Sequence, residues 1–108
     1  MTEHAATDRA EAFHRVTDVI RCKWTLAIID ALDAGDRRPS EIRRRLPGLT
    51  DKVLADRLRR FEDFGLVHRE AFAEVPPRVE YTLTSRGQEM GDLMRRVGAF
   101  VDAWAVDA

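Results

Sequence analysis

A mainly α domain carrying one small β-hairpin is predicted by three features of this 108-residue chain. Apolar residues recur at helical spacing through five segments, the period shortens to two between Leu66 and Leu83, and Pro47-Gly48 separates two short helices. A chain of this length builds one modest core, near the size at which a second copy helps to cover apolar faces. The expected organisation is one domain over 1–108, with 1–7 flexible, dimerisation helices over 8–20 and 85–106, a helix-turn-helix over 40–64 and a hairpin over 66–83.

In the first helix, Ala12, Phe13, Val16, Val19 and Ile20 share one face. The run from Trp24 to Leu32 is apolar nearly all round, as befits the central helix, and Gly35 ends it. Pro39 disfavours helix at Arg38, so Asp36 to Pro39 form a polar connector with a short extended strand. Ser40 is the expected N-cap of a short helix that turns Ile42 and Leu46 inward and Arg43, Arg44 and Arg45 outward. Thr50 caps the next helix, where Leu54, Leu58, Phe61 and Gly65 lie on one side. Lys52, Asp56, Arg59, Arg60 and Asp63 lie on the other, Arg57 falls between, and Gly65 is a suitable stop.

Val67, Arg69, Ala71 and Ala73 then alternate with Leu66, His68, Glu70 and Phe72, and Val79, Tyr81 and Leu83 alternate in the following segment. The link Glu74-Val75-Pro76-Pro77-Arg78 must be an exposed tip, because neither proline can donate a ladder bond. A hairpin directly after a helix-turn-helix is the wing of a winged helix-turn-helix fold. Thr84 caps a final helix on which Met90, Leu93, Met94, Val97, Phe100, Val101 and Trp104 form an apolar stripe longer than a small domain covers alone. Gly87, Gly91, Gly98 and Ala105 line up beside it, which predicts either close approach of another helix, such as the first or its counterpart in a second subunit, or simply tolerated surface glycine.

Charge is unevenly spread. Residues 36–60 carry nine bases and four acids, a local net of +5, while residues 1–35 sum to −2 and residues 61–108 to −4. A polyanion is drawn to the middle and repelled mildly by both ends, which points to double-stranded DNA. Lys52, Asp56 and Arg59 are the candidate major-groove contacts, with Ser40, Arg43, Arg44 and Thr50 holding phosphates. Arg78, stiffened by the prolines, is expected to reach the adjacent minor groove or its phosphates from the wing tip, or else is an ordinary exposed hairpin arginine. The same charges could instead form a solvated face, or a basic docking face of a winged-helix protein–protein interaction module.

No apolar run approaches the roughly 20 residues of a membrane span, and the opening residues carry no export signal, so a cytoplasmic protein is expected. No nucleophile, base and oxyanion donors assemble, so no enzyme is expected. His14, Asp18 and Cys22 are four apart, yet no CxxC or HxxxH accompanies them; neither metal nor cofactor is expected. Cys22, the single cysteine, stands between Arg21 and Lys23 where thiolate is favoured; it is either a reactive sensor or a small buried side chain. Trp24, with Trp104 and Phe13, is a candidate lining for a small aromatic effector, or simply core.

The segments K-W-T (Lys23 to Thr25), P-G-L-T-D-K-V-L-A-D-R-L-R (Pro47 to Arg59) and V-P-P-R-V-E-Y-T-L-T-x-x-G (Val75 to Gly87) resemble the HxlR family of bacterial transcriptional regulators, within the MarR-like superfamily. The resemblance covers roughly residues 13–104 and is most specific in the wing. It implies a homodimeric winged-helix DNA-binding repressor, dimerised through its terminal helices and released by an electrophile, an oxidant or a small molecule. Two departures stand out. Glu11 occupies the place of the family's sensing cysteine, with Arg21-Cys22 in place of two glycines. Asp56 stands where an amide is common, and a carboxylate favours cytosine N4.

Overall fold

A computed structural model of the chain describes the backbone of residues 2–21 and 23–107, with side chains over 8–19 and 23–104. Five helices and one hairpin follow in order: α1 (Thr2–Arg21), α2 (Thr25–Asp33), α3 (Pro39–Arg45), α4 (Asp51–Asp63), β1 (Val67–Phe72), β2 (Arg78–Leu83) and α5 (Ser85–Asp107). The helix backbone of α1 thus begins well before Asp8.

α2 is the hub, touching α1, α3, α5 and β2. Its Ile28, Ile29, Ala31 and Leu32 are buried, as a helix apolar nearly all round requires. Thr25 is fully buried, and its hydroxyl donates to the Val19 carbonyl at 2.6 Å, so burial of this polar group is offset by a bond that ties the end of α1 to α2. Leu54, Leu58 and Phe61 of α4, with Ile42, Leu49, Leu66 and Val67, complete the core. Among the described side chains of α1 only Val19 is buried in the core, and Phe13 is 68% exposed.

The two strands pair antiparallel from Val67 opposite Leu83 to Phe72 opposite Arg78. Arg78 is therefore the first residue of β2 and not part of the tip, which corrects the expectation for it. The Val75-Pro76 peptide is cis. The Tyr81 N–H donates to the Arg37 carbonyl at 2.7 Å, so the expected extended connector meets the sheet through this single backbone bond and forms no strand of its own.

Thr84 caps α5 as predicted: its hydroxyl accepts from the Gly87 N–H at 3.1 Å and donates to the Gly65 carbonyl. The glycine ridge has a different cause from the one expected. A Cβ on Gly87 would stand 2.1 Å from the Leu66 carbonyl oxygen, and one on Gly91 would stand 3.0 Å from Ile29 Cγ2. Those two glycines admit the wing's root and α2 of the same chain, while Gly98 has nothing within 4 Å. Leu93, Val97, Phe100, Val101 and Trp104 of α5 remain solvent-facing.

Candidate nucleic-acid interface

The surface around α3 and α4 is built by caps. Arg38 is extended (φ −99, ψ 144), as a residue before proline should be, and Pro39 takes the first helical position. The Glu41 carboxylate accepts the backbone N–H groups of Arg37 (3.0 Å) and Arg38 (2.9 Å). Arg38 has no side-chain acceptor to return, so only this half of a capping box forms. Ser40, expected as the N-cap, lies inside the first turn instead and is exposed; proline at the first helical position displaces it. The two backbone bonds lower the Glu41 carboxyl below its ordinary value. Thr50 caps α4 as expected, accepting from the Val53 N–H at 3.2 Å.

Ion pairing then sorts the nine cations of residues 36–60. Arg45 grips Asp36 through two hydrogen bonds, and this guanidinium, the largest influence on it, holds the Asp36 carboxyl below its ordinary range. Arg43 reaches across the turn to Asp51 at 2.8 Å, and Arg60 lies 3.5 Å from Asp56 on the same helix. All four acids are thereby engaged, which leaves Arg37, Arg38, Arg44, Lys52, Arg57 and Arg59 without a carboxylate among the described residues. Arg44, Lys52 and Arg59 are exposed, as a surface for phosphates and base edges needs. Arg57 is half-buried, with an Nε that has no partner among the described residues.

Two predicted contacts stand differently from expectation. Asp56 faces solvent beside Arg60, so it presents a paired and not a bare carboxylate. Arg78 does not project forward. Its guanidinium lies 4.1 Å from the centre of the Phe72 ring, 3.3 Å from Glu74 and 3.2 Å from Glu80. Its Nε is close enough to Glu80 for an ion pair but misaligned for a hydrogen bond.

Sequence reasoning counted Arg37 and Arg38 as charge and gave them no place. Arg38 lines a cleft of about 330 Å³ with Ser40 on one side and the wing segment Glu74 to Val79 on the other. Proline followed two residues later by glutamate was the signal that puts Arg38 at the cap.

Trp24 lies against the helix-turn-helix turn: its Cη2 is 3.8 Å from the point where a Cβ on Gly48 would stand. Trp104 is 69% exposed on α5, so the two tryptophans serve different surfaces. Cys22 lies outside the described residues.

A family model described as HxlR-like helix-turn-helix matches residues 19–108. A helix-turn-helix transcriptional regulator of Synechocystis, sll1512, is 41% identical over 69% of this chain and 56% of its own length. The regulator YvaP of Bacillus subtilis is 33% identical over 85% of both chains. The chain thus spans little more than half of the first of these relatives. Among solved structures, a MarR-family transcriptional regulator of Enterococcus faecalis V583 aligns with a TM-score of 0.74 and 41% identity, over 91% of this chain and 89% of that one. The redox regulator HypR in its oxidised form aligns with a TM-score of 0.67 and 35% identity, over 80% and 89%.

Proposed function

Because the chain belongs to the HxlR-like helix-turn-helix family, whose relatives are transcriptional regulators and not enzymes, we propose that it is a homodimeric, sequence-specific repressor acting in the cytoplasm on a pseudo-palindromic operator. One observation carries this reading: Arg44, Lys52 and Arg59 are exposed, with no ion-pair partner among the described residues, around a helix whose opposite face is locked into the core. Lys52, Asp56 and Arg59 read base edges, while Ser40, Arg43, Arg44 and Thr50 hold phosphates. Arg78 joins them by exchanging its carboxylates for backbone phosphates.

The second copy is supported by the apolar side chains that α5 and α1 leave in water, Phe13, Val97, Phe100, Val101 and Trp104. A dimer puts two reading helices in successive major grooves, with half-sites about 10 bp apart or a multiple of it. Release by a signal is supported by the likeness to the redox regulator HypR. In this chain a thiol signal has one cysteine to use, Cys22. A small, mainly apolar effector has a groove of about 310 Å³ beside the end of α4, where Val16, Phe64, Leu66, Met90 and Leu93 line it together with Arg86 and Glu89.

The test is gel shift against duplexes enriched from a random pool and against the DNA upstream of the chain's own gene. Binding that weakens steeply with salt is expected; salt-independent affinity would rule the reading out in favour of protein docking. Operator release by a quinone or peroxide, compared between wild type and Cys22→Ser, decides the thiol route.

A further inference from the structure

Lys23 stands just ahead of α2, outside the basic run of residues 36–60. Its ammonium lies 5.3 Å from the centre of the Trp24 ring. The Trp24 carbons Cη2 and Cζ2 lie 3.8 and 4.0 Å from the Cβ position of Gly48. Gly48 has φ +93, a backbone conformation that a side chain would strain, and the indole lies in ordinary van der Waals range of this turn. Two residues further on, Thr50 caps the reading helix. The indole therefore touches the turn and carries the Lys23 ammonium over its ring, which brings Lys23 near the entrance of α4.

The charge on Lys23 is also free. Among the described residues no carboxylate pairs with it, whereas Arg43, Arg45 and Arg60 are each tied to an aspartate. Lys23 is exposed, and an exposed cation–aromatic contact is worth only about 0.5–1 kcal/mol. That is enough to bias the long side chain toward one direction without burying the ammonium or spending its hydrogen-bond donors.

On the reading of this surface as a DNA interface, we infer that Lys23 is a further contact to a duplex phosphate, on the strand backbone flanking the groove that α4 enters, with Trp24 as its positioning residue. An ammonium on a phosphate is a compact charge–charge contact and carries no base information. Its contribution is to affinity and salt dependence, equally for every sequence. It also registers α2, the hub of the core, directly against the DNA backbone.

The experiment measures binding by fluorescence anisotropy for wild type, Lys23→Gln and Lys23→Arg, across roughly 50–200 mM salt. The probes are a duplex enriched from a random pool by the wild-type protein and an unrelated duplex of equal length. For Lys23→Gln the slope of log affinity against log salt is expected to be shallower by about one, with equal weakening on both duplexes. Lys23→Arg is expected to restore the slope. A wild-type slope in Lys23→Gln, or a loss confined to the enriched duplex, overturns the phosphate contact while leaving the DNA reading intact. A wild-type protein without salt-dependent affinity overturns both.

Discussion

Arg78 Nε lies 3.2 Å from Glu80 Oε2, and Glu74 holds the other side of the same guanidinium at 3.3 Å. Glu70 stands directly across the ladder from Glu80, so two acids face each other on the wing and Arg78 pairs with one of them. A phosphate that takes Arg78 must displace these carboxylates. Glu80→Gln is therefore expected to tighten binding to every duplex by up to about 1 kcal/mol, the upper end for a surface ion pair. Arg78→Ala is expected to weaken all sequences similarly. Anisotropy at fixed salt measures both, and looser binding in Glu80→Gln would show that the clamp positions the wing for DNA.

Arg59 differs from Arg78 in being exposed and without a carboxylate among the described residues. Arg59→Ala is expected to cost about 1–3 kcal/mol, chiefly on the enriched duplex. Equal losses on unrelated DNA would refute the base contact. Asp56→Gln is expected to shift the enriched sequence away from cytosine at one position per half-site, because an amide both donates and accepts whereas a carboxylate only accepts.

The glycines of α5 give opposite stability predictions. Gly87→Ala places a methyl 2.1 Å from a backbone oxygen, and overpacking of this kind costs about 1–3 kcal/mol, more than the roughly 1 kcal/mol of helix propensity gained. A lowered melting temperature is expected. Gly98→Ala meets nothing within 4 Å, so a gain of about 0.5–1 kcal/mol is expected. Impaired self-association in Gly98→Ala, read by sedimentation, would mean that a partner's helix comes close there.

Acid sensitivity follows from Asp36 and Glu41, both lowered below their ordinary values in the folded chain, by the Arg45 guanidinium and by the backbone N–H groups of Arg37 and Arg38 respectively. A depressed carboxyl contributes stability that is present in full above its unfolded value and is lost as pH falls through its folded value. Denaturation midpoints are thus expected to fall below about pH 4, where ordinary carboxyls titrate. Asp36→Asn is expected to lower the midpoint at neutral pH and to flatten that acid limb. An acid limb as steep as wild type in Asp36→Asn would assign it to other groups.

Phe100 is 72% exposed and Trp104 69%, on the stripe read as a dimer face. Phe100→Glu is expected to yield monomers in sedimentation while leaving the far-ultraviolet helix signal unchanged, since the side chain touches no core of its own chain. A dimer as tight as wild type would move the interface elsewhere.

Much of the fold was legible because its signals are local. Periodicity gave the helices, Thr50 and Thr84 gave two caps, and the change to alternation after Gly65 gave the hairpin, each set by neighbours a few residues away. The Ser40 cap was misread because proline at the first helical position and glutamate at the third form a stronger start, and that start shifts the helix by one residue.

By itself the sequence determined the elements, their order and the concentration of positive charge between residues 36 and 60. Only the tertiary structure decided which of those charges are free. Asp36 and Arg45 are nine residues apart, Arg43 and Asp51 eight, and neither pair shares a helix, so no periodicity announces them. Packing likewise turned Gly87 toward Leu66, laid Trp24 on Gly48 and folded Arg78 onto Phe72. The physical reason is common to all of these. Local backbone preferences act over one turn or one strand pair, whereas ion pairs and close contacts depend on distances that exist only once the helices have met.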